Sequence, residues 1–350
     1  MPMDPIFDQT VTLLAVIDNT PPANTFLRDR YCPTGQVFTT EEVLVEYRDG
    51  KKRLAPMVHS RMGSVQVGRD GFDAQKFAPP FFAPHRTITP DTLKRKQLGE
   101  ALYRDRTPEM RRRILITQDM VELREMHLRR EEHLASRLMQ DGKIELMEYL
   151  EDKATGNVVT LDYYTPTSWA FLKSWSDPTA NILGDIDSMA DERKAKSLAA
   201  KELVVSPEVC EHIIRNDDVY RFLDNQRFQM GNIAPEELPD GVSRVGVART
   251  FKGRLITIFS YEEKYTADDG TDTPYIDPGK VILTAPNMGH TNYGSITQME
   301  RDEETYTRAG RHVPRLLANV RNDSTELRLA SAPLPIPNAK FAFTPAEVIF

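Results

Sequence analysis

The sequence predicts an α+β protein built from more than one unit, and three observations carry that prediction. The first is one stretch of helical period, Thr107 to Asp141, far longer than an ordinary helix. The second is a set of short alternating or β-branched runs on both sides of it, which read as strands. The third is length, since 350 residues exceed one small core. A hydrophobic content of 40% and a charged content of 28% are those of a folded chain.

Taken in order, Asp8 to Asp18 is a short apolar helix candidate that Pro21-Pro22 ends. Phe26, Leu27 and Tyr31 follow as anchoring apolars, and Val37 to Tyr47 contains a strand. Lys51 to Val58 is a second short strand candidate. From His59 to Pro90 the character changes: glycines at 63, 68 and 71 and prolines at 79, 80, 84 and 90 punctuate it, with no sustained helical period. A loop of that length is functional or disordered. Phe72, Phe77, Phe81 and Phe82 argue against disorder, which is poor in aromatics. The segment predicts an extended two-stranded arm that becomes ordered against another surface.

The long helix has its ends written into it. Thr107 is a good N-cap, Pro108 suits the first helical position, Glu109 complements the dipole and Gly142 supplies the stop. Ile116, Met120, Leu123, Leu134 and Leu138 repeat at helical spacing, flanked by Val121, Leu128, Ala135 and Met139. About 34 residues at 1.5 Å each make a rod roughly 50 Å long. The heptad spacing breaks at His127 and Arg130, which disfavours a coiled-coil seam.

Beyond it, Lys143 to Leu150 and Asn157 to Tyr164 form a hairpin by pattern, joined by EDKATG. A helix is predicted from Ala180 to about Ala200, a strand at Leu203 to Val205, and a second helix after Ser206-Pro207-Glu208. Gln229 to Val242 reads as loop. Val245 to Ala248, Arg254 to Tyr261 and Lys280 to Ala285 read as strands, with an acidic loop before the last. Thr325 to Leu329, a Pro-rich SAPLPIP and a final AEVIF close a mixed tail.

Charge narrows the function classes. A net charge of −7 opposes a general nucleic-acid binder, whose affinity comes from neutralising phosphates. Arg48 to Lys96 holds eleven Lys/Arg against four Asp/Glu, a local +7 that leaves −14 on the rest. A basic segment on an acidic body could bind copies of itself. No apolar run approaches the ~20 residues of a membrane span, and Asp4 and Asp8 stand where a signal peptide would be basic. The chain is expected to stay where it is made. Cys32 and Cys210 suggest no disulfide framework.

Catalytic signatures are missing: no GxSxG, no P-loop and no GxGxxG. GSVQVGRDG has the wrong glycine spacing for a phosphate loop. His127 and His133 are six apart, on different helix faces. Glu131 follows His127 at i+4, but a third metal ligand is not in view, so both read as helix-surface or interface polar residues. The run Asp268, Asp269, Asp272, Asp277 departs from an EF-hand because Gly270 comes too early. Cys210 beside His212 reads as a small buried hydrophobe. These negatives favour a structural protein with no catalytic, cofactor or metal site.

In this order the elements resemble the lambda-type phage major capsid protein, the phage capsid protein E family. The resemblance rests on NTFLRDRY followed by FTTEEVLVEYRDGKKRLAPMVHSR, on GRDGFDAQKFAPPFFAPHRTITPDTLKRK, on YRDRTPEMRRRILITQDMVELREM and on RLASAPLPIPNAKFAF. Residues 181–290 match only in pattern. The resemblance implies the tailed-phage major capsid fold: an N-terminal arm (1–35), an extended β-hairpin loop (48–96), a peripheral domain (36–47, 97–180 and 291–350) whose sheet carries a long spine helix (108–141), and an axial domain (181–290). It implies hexamers and pentamers of an icosahedral phage head enclosing double-stranded DNA, in the virion, assembled in the host cell cytoplasm. The partners implied are further copies, a portal protein, optionally a decoration protein, packaged DNA held without sequence specificity, and no membrane. Because the arm begins almost at once, a separate scaffolding protein is expected. An encapsulin-like compartment shell of the same fold is the alternative. The family supplies no catalytic residue to carry over. From charge and aromatic content, the inter-subunit contact candidates are Arg61, Arg69, Phe72, Lys76, Phe77, Phe81, Phe82, Arg86, Asp268 and Asp269.

Overall fold

The computed structural model describes residues 25–40, 42–48, 72–94, 107–150, 153–216, 219, 238, 241–267, 270–300, 304–319 and 323–350. The first half of the chain supplies helix α1 (Phe26–Tyr31), strands β1 (Thr34–Phe38), β2 (Val43–Arg48), β3 (Phe72–Phe77) and β4 (His85–Ile88), and helix α2 (Pro90–Lys94). Next come the long α3 (Pro108–Asp141), β5 (Lys143–Leu150), β6 (Lys153–Asp162), α4 (Ile182–Ala195), β7 (Glu202–Val205) and α5 (Pro207–Arg215). The remainder is strands: β8 (Val242–Arg249), β9 (Leu255–Tyr261), β10 (Lys264–Thr266), β11 (Asp272–Pro274), β12 (Lys280–Thr284) and β13 (Gly289–Gly294). It ends with β14 (Ile296–Met299), β15 (Thr305–Arg308), β16 (Val313–Asn319), β17 (Ser324–Ala330), β18 (Pro333–Pro337) and β19 (Thr344–Glu347).

Helix α3 begins and ends where its caps require. The Thr107 hydroxyl accepts the Met110 N–H at 3.3 Å, and Gly142 stops the helix at φ 63°, its N–H bonding Leu138 O. The two halves of the rod differ. Ile116, Met120 and Leu123 lay one apolar stripe on Ile88, Leu316, Leu327 and Leu329 of the sheet β16-β17-β4. From His127 onward the rod is buried nearly all round, so no single apolar face describes it. Leu134, Leu138 and Met139 join a core with α1, β5, β6 and β9, while Glu131, Glu132, Ser136 and Gln140 are buried beside them.

The largest sheet runs β19-β12-β7-β9-β8, antiparallel except for β7 beside β9. Its residues alternate between two cores. Leu203, Val205, Ile258, Val281 and Leu283 face α4 and α5, whereas Val204, Phe259 and Ile282 face the core around α3. Burial on both faces explains the unbroken apolar run in KVILT. Arg193 of α4 is fully buried and donates to Ala199 O, Leu283 O and Ala342 O at 2.8–3.0 Å. With a further bond to Thr344 Oγ1 of β19 at 3.0 Å, beside that to Leu283 of β12, it fastens α4 to two strands of this sheet. The expected partition puts Thr344–Glu347 apart from residues 181–290, yet β19 is hydrogen-bonded to β12 along its length.

Among the described residues there are four two-stranded ribbons, β2-β3, β5-β6, β10-β11 and β14-β15. Of these, β2 pairs with β3 antiparallel, while the Lys51–Val58 strand candidate, the first part of the His59–Pro90 arm and the Asp8–Asp18 candidate lie outside the described residues. The EDKATG joint is shorter than expected, since β6 starts at Lys153. The acidic loop contains the β10-β11 hairpin. Among the described residues no helix is long and apolar enough to cross a membrane.

Gly142 has no substitute at its φ. A Cβ there would lie 2.2 Å from Tyr164 O, and the left-handed conformation alone costs an L-residue about 1–2 kcal/mol. Gly142→Ala is expected to lower subunit stability by at least about 2 kcal/mol, measured by denaturant unfolding of unassembled protein.

Candidate functional site

The buried half of α3 is an anchoring centre built on two adjacent carboxylates. Helix α1 has only six residues, and the side chain of its own N-cap, Thr25, makes no capping bond. Glu132 supplies the cap from α3. Its Oε1 accepts the Leu27 N–H at 2.8 Å, and its Oε2 accepts the Arg28 N–H at 2.9 Å. The Tyr261 hydroxyl of β9 donates to Oε1 at 2.7 Å. A carboxylate on the first N–H groups of a helix meets both orphan donors and the positive end of the dipole. Burial nevertheless raises the Glu132 carboxyl to about 7, because the three donors offset only part of its desolvation.

Glu131 faces the other way and gathers two guanidinium groups, an imidazole and a hydroxyl. Arg28 Nε lies at 3.0 Å, Arg311 Nη2 at 2.6 Å and His312 Nε2 at 3.4 Å, with the Tyr293 hydroxyl donating at 3.1 Å. Burial would raise this carboxyl too, but the His312 contact and the Arg311 and Arg28 charges overturn it and hold it at about 2. The two neighbours therefore part in protonation behaviour by environment alone. His127 stands 5.4 Å from His312, centroid to centroid, with its Nε2 at 2.9 Å from Leu329 O. Burial and the neighbouring His312 depress His127 to about 4, and burial with the Arg311 charge depresses His312, so both imidazoles are neutral at pH 7.

The same helix is sewn to the 275–280 segment one turn on. Ser136 Oγ donates to Tyr275 O, and Gln140 Nε2 donates to the same oxygen at 2.8 Å. Gln140 Oε1 accepts the Asp277 N–H at 3.0 Å, and Arg137 pairs with Asp277 at 2.9 Å. From α1, Arg30 reaches Glu202 of β7 at 2.7 Å and lies over the Phe259 ring at 4.6 Å. This chemistry holds elements together; it presents no nucleophile or open cleft. Cys32 and Cys210 are buried and free, and burial pushes both thiols up, away from reactivity. Among the described residues no His, Cys, Asp and Glu group could hold a metal ion.

The predicted contact residues fall into four groups. Arg61, Arg69, Asp268 and Asp269 lie outside the described residues, as does the side chain of Phe72. Phe77 is buried and stacks on Tyr163 at 4.5 Å, which makes it part of the subunit core. Arg86 is committed within the subunit, at 2.9 Å from Asp119 and against Glu122 of α3. Phe82 is half-buried under Arg130, whereas Phe81 and Lys76 are exposed. Sequence reasoning missed the buried acids. The available signal was that Glu131 stands on the helix stripe itself, four residues after His127 and three before Leu134.

The model of the family described as phage major capsid protein E matches residues 9–343. The chain belongs to that family. It is a capsid protein of a phage virion, and its kind builds an icosahedral shell. The family is a structural one, and a phage capsid match disfavours the compartment-shell alternative. No curated protein matches in sequence. In fold the chain is similar to a prophage capsid protein from E. coli CFT073, at 20% identity, with 97% of this chain and 98% of that one covered and a TM-score of 0.67. It is also similar to a phage-related protein from Bordetella bronchiseptica RB50, at 11% identity, 99% and 96% coverage and a TM-score of 0.50. For a capsid subunit, the Glu131–Glu132 centre is an internal brace.

One outcome tests the centre, and a second tests the Arg86 pairing with α3. The folded pKa values of His127 and His312 lie below the ordinary 6.5, so their contribution is complete above pH 6.5 and is lost as pH falls through that window. Glu132, raised above 4.5, works in the opposite sense and favours the fold as pH drops from about 7. Glu132→Gln removes the opposing contribution, so unfolding midpoints measured from pH 7 to 4.5 should fall more steeply than in wild type. Arg86→Glu sets a third carboxylate beside Asp119 and Glu122. A loss of about 1 kcal/mol in subunit stability is expected by denaturant titration.

Proposed function

We propose that the chain self-assembles into hexamers and pentamers that close an icosahedral head around double-stranded DNA. The family match over residues 9–343 carries this reading. Assembly would take place in the host cytoplasm on a separate scaffolding protein, with a portal protein at one vertex and, in some heads, a decoration protein. The net charge of −7 supports a lining that contains DNA without gripping it or reading its sequence. The domain scheme also stays a proposal: an arm at 1–35, an extended loop at 48–96, an axial domain at 181–290 and a peripheral domain over the rest.

The subunit's build supports assembly through surfaces rather than chemistry. Two-stranded ribbons are marginally stable alone, and the described residues include four of them. Burying such ribbons between copies gains area without enlarging a subunit core. We read the chain as performing no catalysis of its own. Co-expression with its scaffolding protein, followed by electron microscopy and sedimentation, is expected to yield closed particles. Persistent soluble monomers with a turnover activity would overturn the shell reading.

A further inference from the structure

The sheet β16-β17-β4 has two unlike faces. Leu316, Leu327 and Ile88 pack on α3, and the alternate residues point away from it. On the outward face Val313 and Ala330 pack with Ile296, so the β14-β15 ribbon covers one end. Further along the same face, the register sets Arg315 directly opposite Arg328, and Arg328 directly opposite His85. Directly opposed side chains have Cβ atoms about 5 Å apart, and like charges placed so are destabilising. A row of basic side chains across three neighbouring strands therefore asks for an anion.

The subunit answers this row only in part. Glu326 Oε1 lies 3.6 Å from Arg315 Nη2, a loose and partly exposed pair. Arg328 instead donates from Nη2 to a neutral acceptor, Gln298 Oε1, at 3.1 Å, and its buried Nε has no hydrogen-bond partner among the described residues. Gln298 is held in that pose by its Nε2, which donates to Pro314 O at 3.2 Å. Burial and the Arg315 charge together pull the Arg328 guanidinium below its usual range.

We propose that this outward face binds a phosphate group between Arg315 and Arg328, with His85 at its rim. A guanidinium presents its donors in a planar fork that matches phosphate oxygens. Two forks a cross-strand pair apart can share one such group. A carboxylate offers two oxygens in one plane, and Glu326 reaches Arg315 alone; the tetrahedral oxygens of a phosphate reach both forks. Binding is a property of the subunit itself and does not depend on the shell reading; only the source of the phosphate does. Within a shell that encloses DNA, a backbone phosphate meets the site, and outside one, free phosphate does. One such contact on each acidic subunit is a weak tether, in keeping with a container that holds DNA without gripping it.

The test titrates the full-length, unassembled subunit with inorganic phosphate in chloride buffer at constant ionic strength, read by calorimetry and by the unfolding midpoint. Wild type should bind phosphate and unfold at a higher midpoint as it does so. Arg315→Gln and Arg328→Gln should each weaken binding about tenfold, the loss of one charge-assisted fork. Without phosphate, both variants relieve a like-charge pair, so their midpoints should equal or exceed that of wild type. Glu326→Gln removes the competing acid and should tighten binding about threefold, which keeps the test decisive if an arginine variant fails to fold. No binding by wild type, or binding that neither arginine variant weakens, overturns the site, as does capture of a Glu-rich peptide in place of phosphate. A short DNA duplex is titrated in parallel. Duplex binding that Arg315→Gln weakens assigns the DNA backbone as the source, and phosphate binding without duplex binding assigns free phosphate. A subunit that binds phosphate yet never forms particles overturns the shell reading and leaves the site standing.

Discussion

The fold depends on two carboxylates placed side by side inside a hydrophobic core. Glu131 and Glu132 are almost wholly buried on a helix that touches most of the other elements. Each would be costly there alone. Glu131 is matched by guanidinium groups from α1 and from Arg311, two residues before β16, and Glu132 by the N-terminus of α1 and a tyrosine of β9. Those partners come from chain positions 27 to 312, so they can be met together in only one arrangement of the elements. Apolar packing would hold the same elements without selecting that arrangement so sharply.

Helix α1 shows what this does for a capsid subunit. Six residues are too few for an isolated helix. Its Leu27 and Arg28 N–H groups and the Arg28 and Arg30 side chains reach distant acids, so the segment is nailed to the brace and to β7. The N-terminal half of α3 does simpler work, laying one apolar stripe on a three-stranded sheet. A rod anchored firmly at one end and by ordinary packing at the other can hold thin ribbons out from the body while the subunit stays folded.

Much of the secondary structure was legible in the sequence. Thr107, Pro108 and Gly142 mark the ends of α3, and the runs at Leu255–Tyr261 and Lys280–Thr284 are strands as read. These are local signals, set by caps and by side-chain period. The candidate contact residues sit in different surroundings for a physical reason. Charge and aromaticity mark Phe77 and Arg86 as sticky, but they do not say whether the partner is a neighbouring copy or the subunit itself. Phe77 lies on the inner side of its ribbon, and Arg86 is four residues before a sheet-to-helix junction with its acids waiting on α3.

By itself the sequence determined the long helix with both its ends, the strand-rich surroundings, the absence of known catalytic signatures and the resemblance to a capsid family. Only the tertiary structure decided which strands pair: β1 with β13, β4 with β17 and β19 with β12, each across more than sixty residues of chain. A period of two tells which face of a strand is apolar and leaves its neighbour open. Only the tertiary structure, likewise, turned Glu131 and Glu132 from a charged helix surface into the centre of the fold. A charged residue on an apolar stripe is solvated or buried according to whether distant groups arrive to pair with it, and Arg28, Tyr261, Tyr293 and Arg311 arrive from four separate parts of the chain.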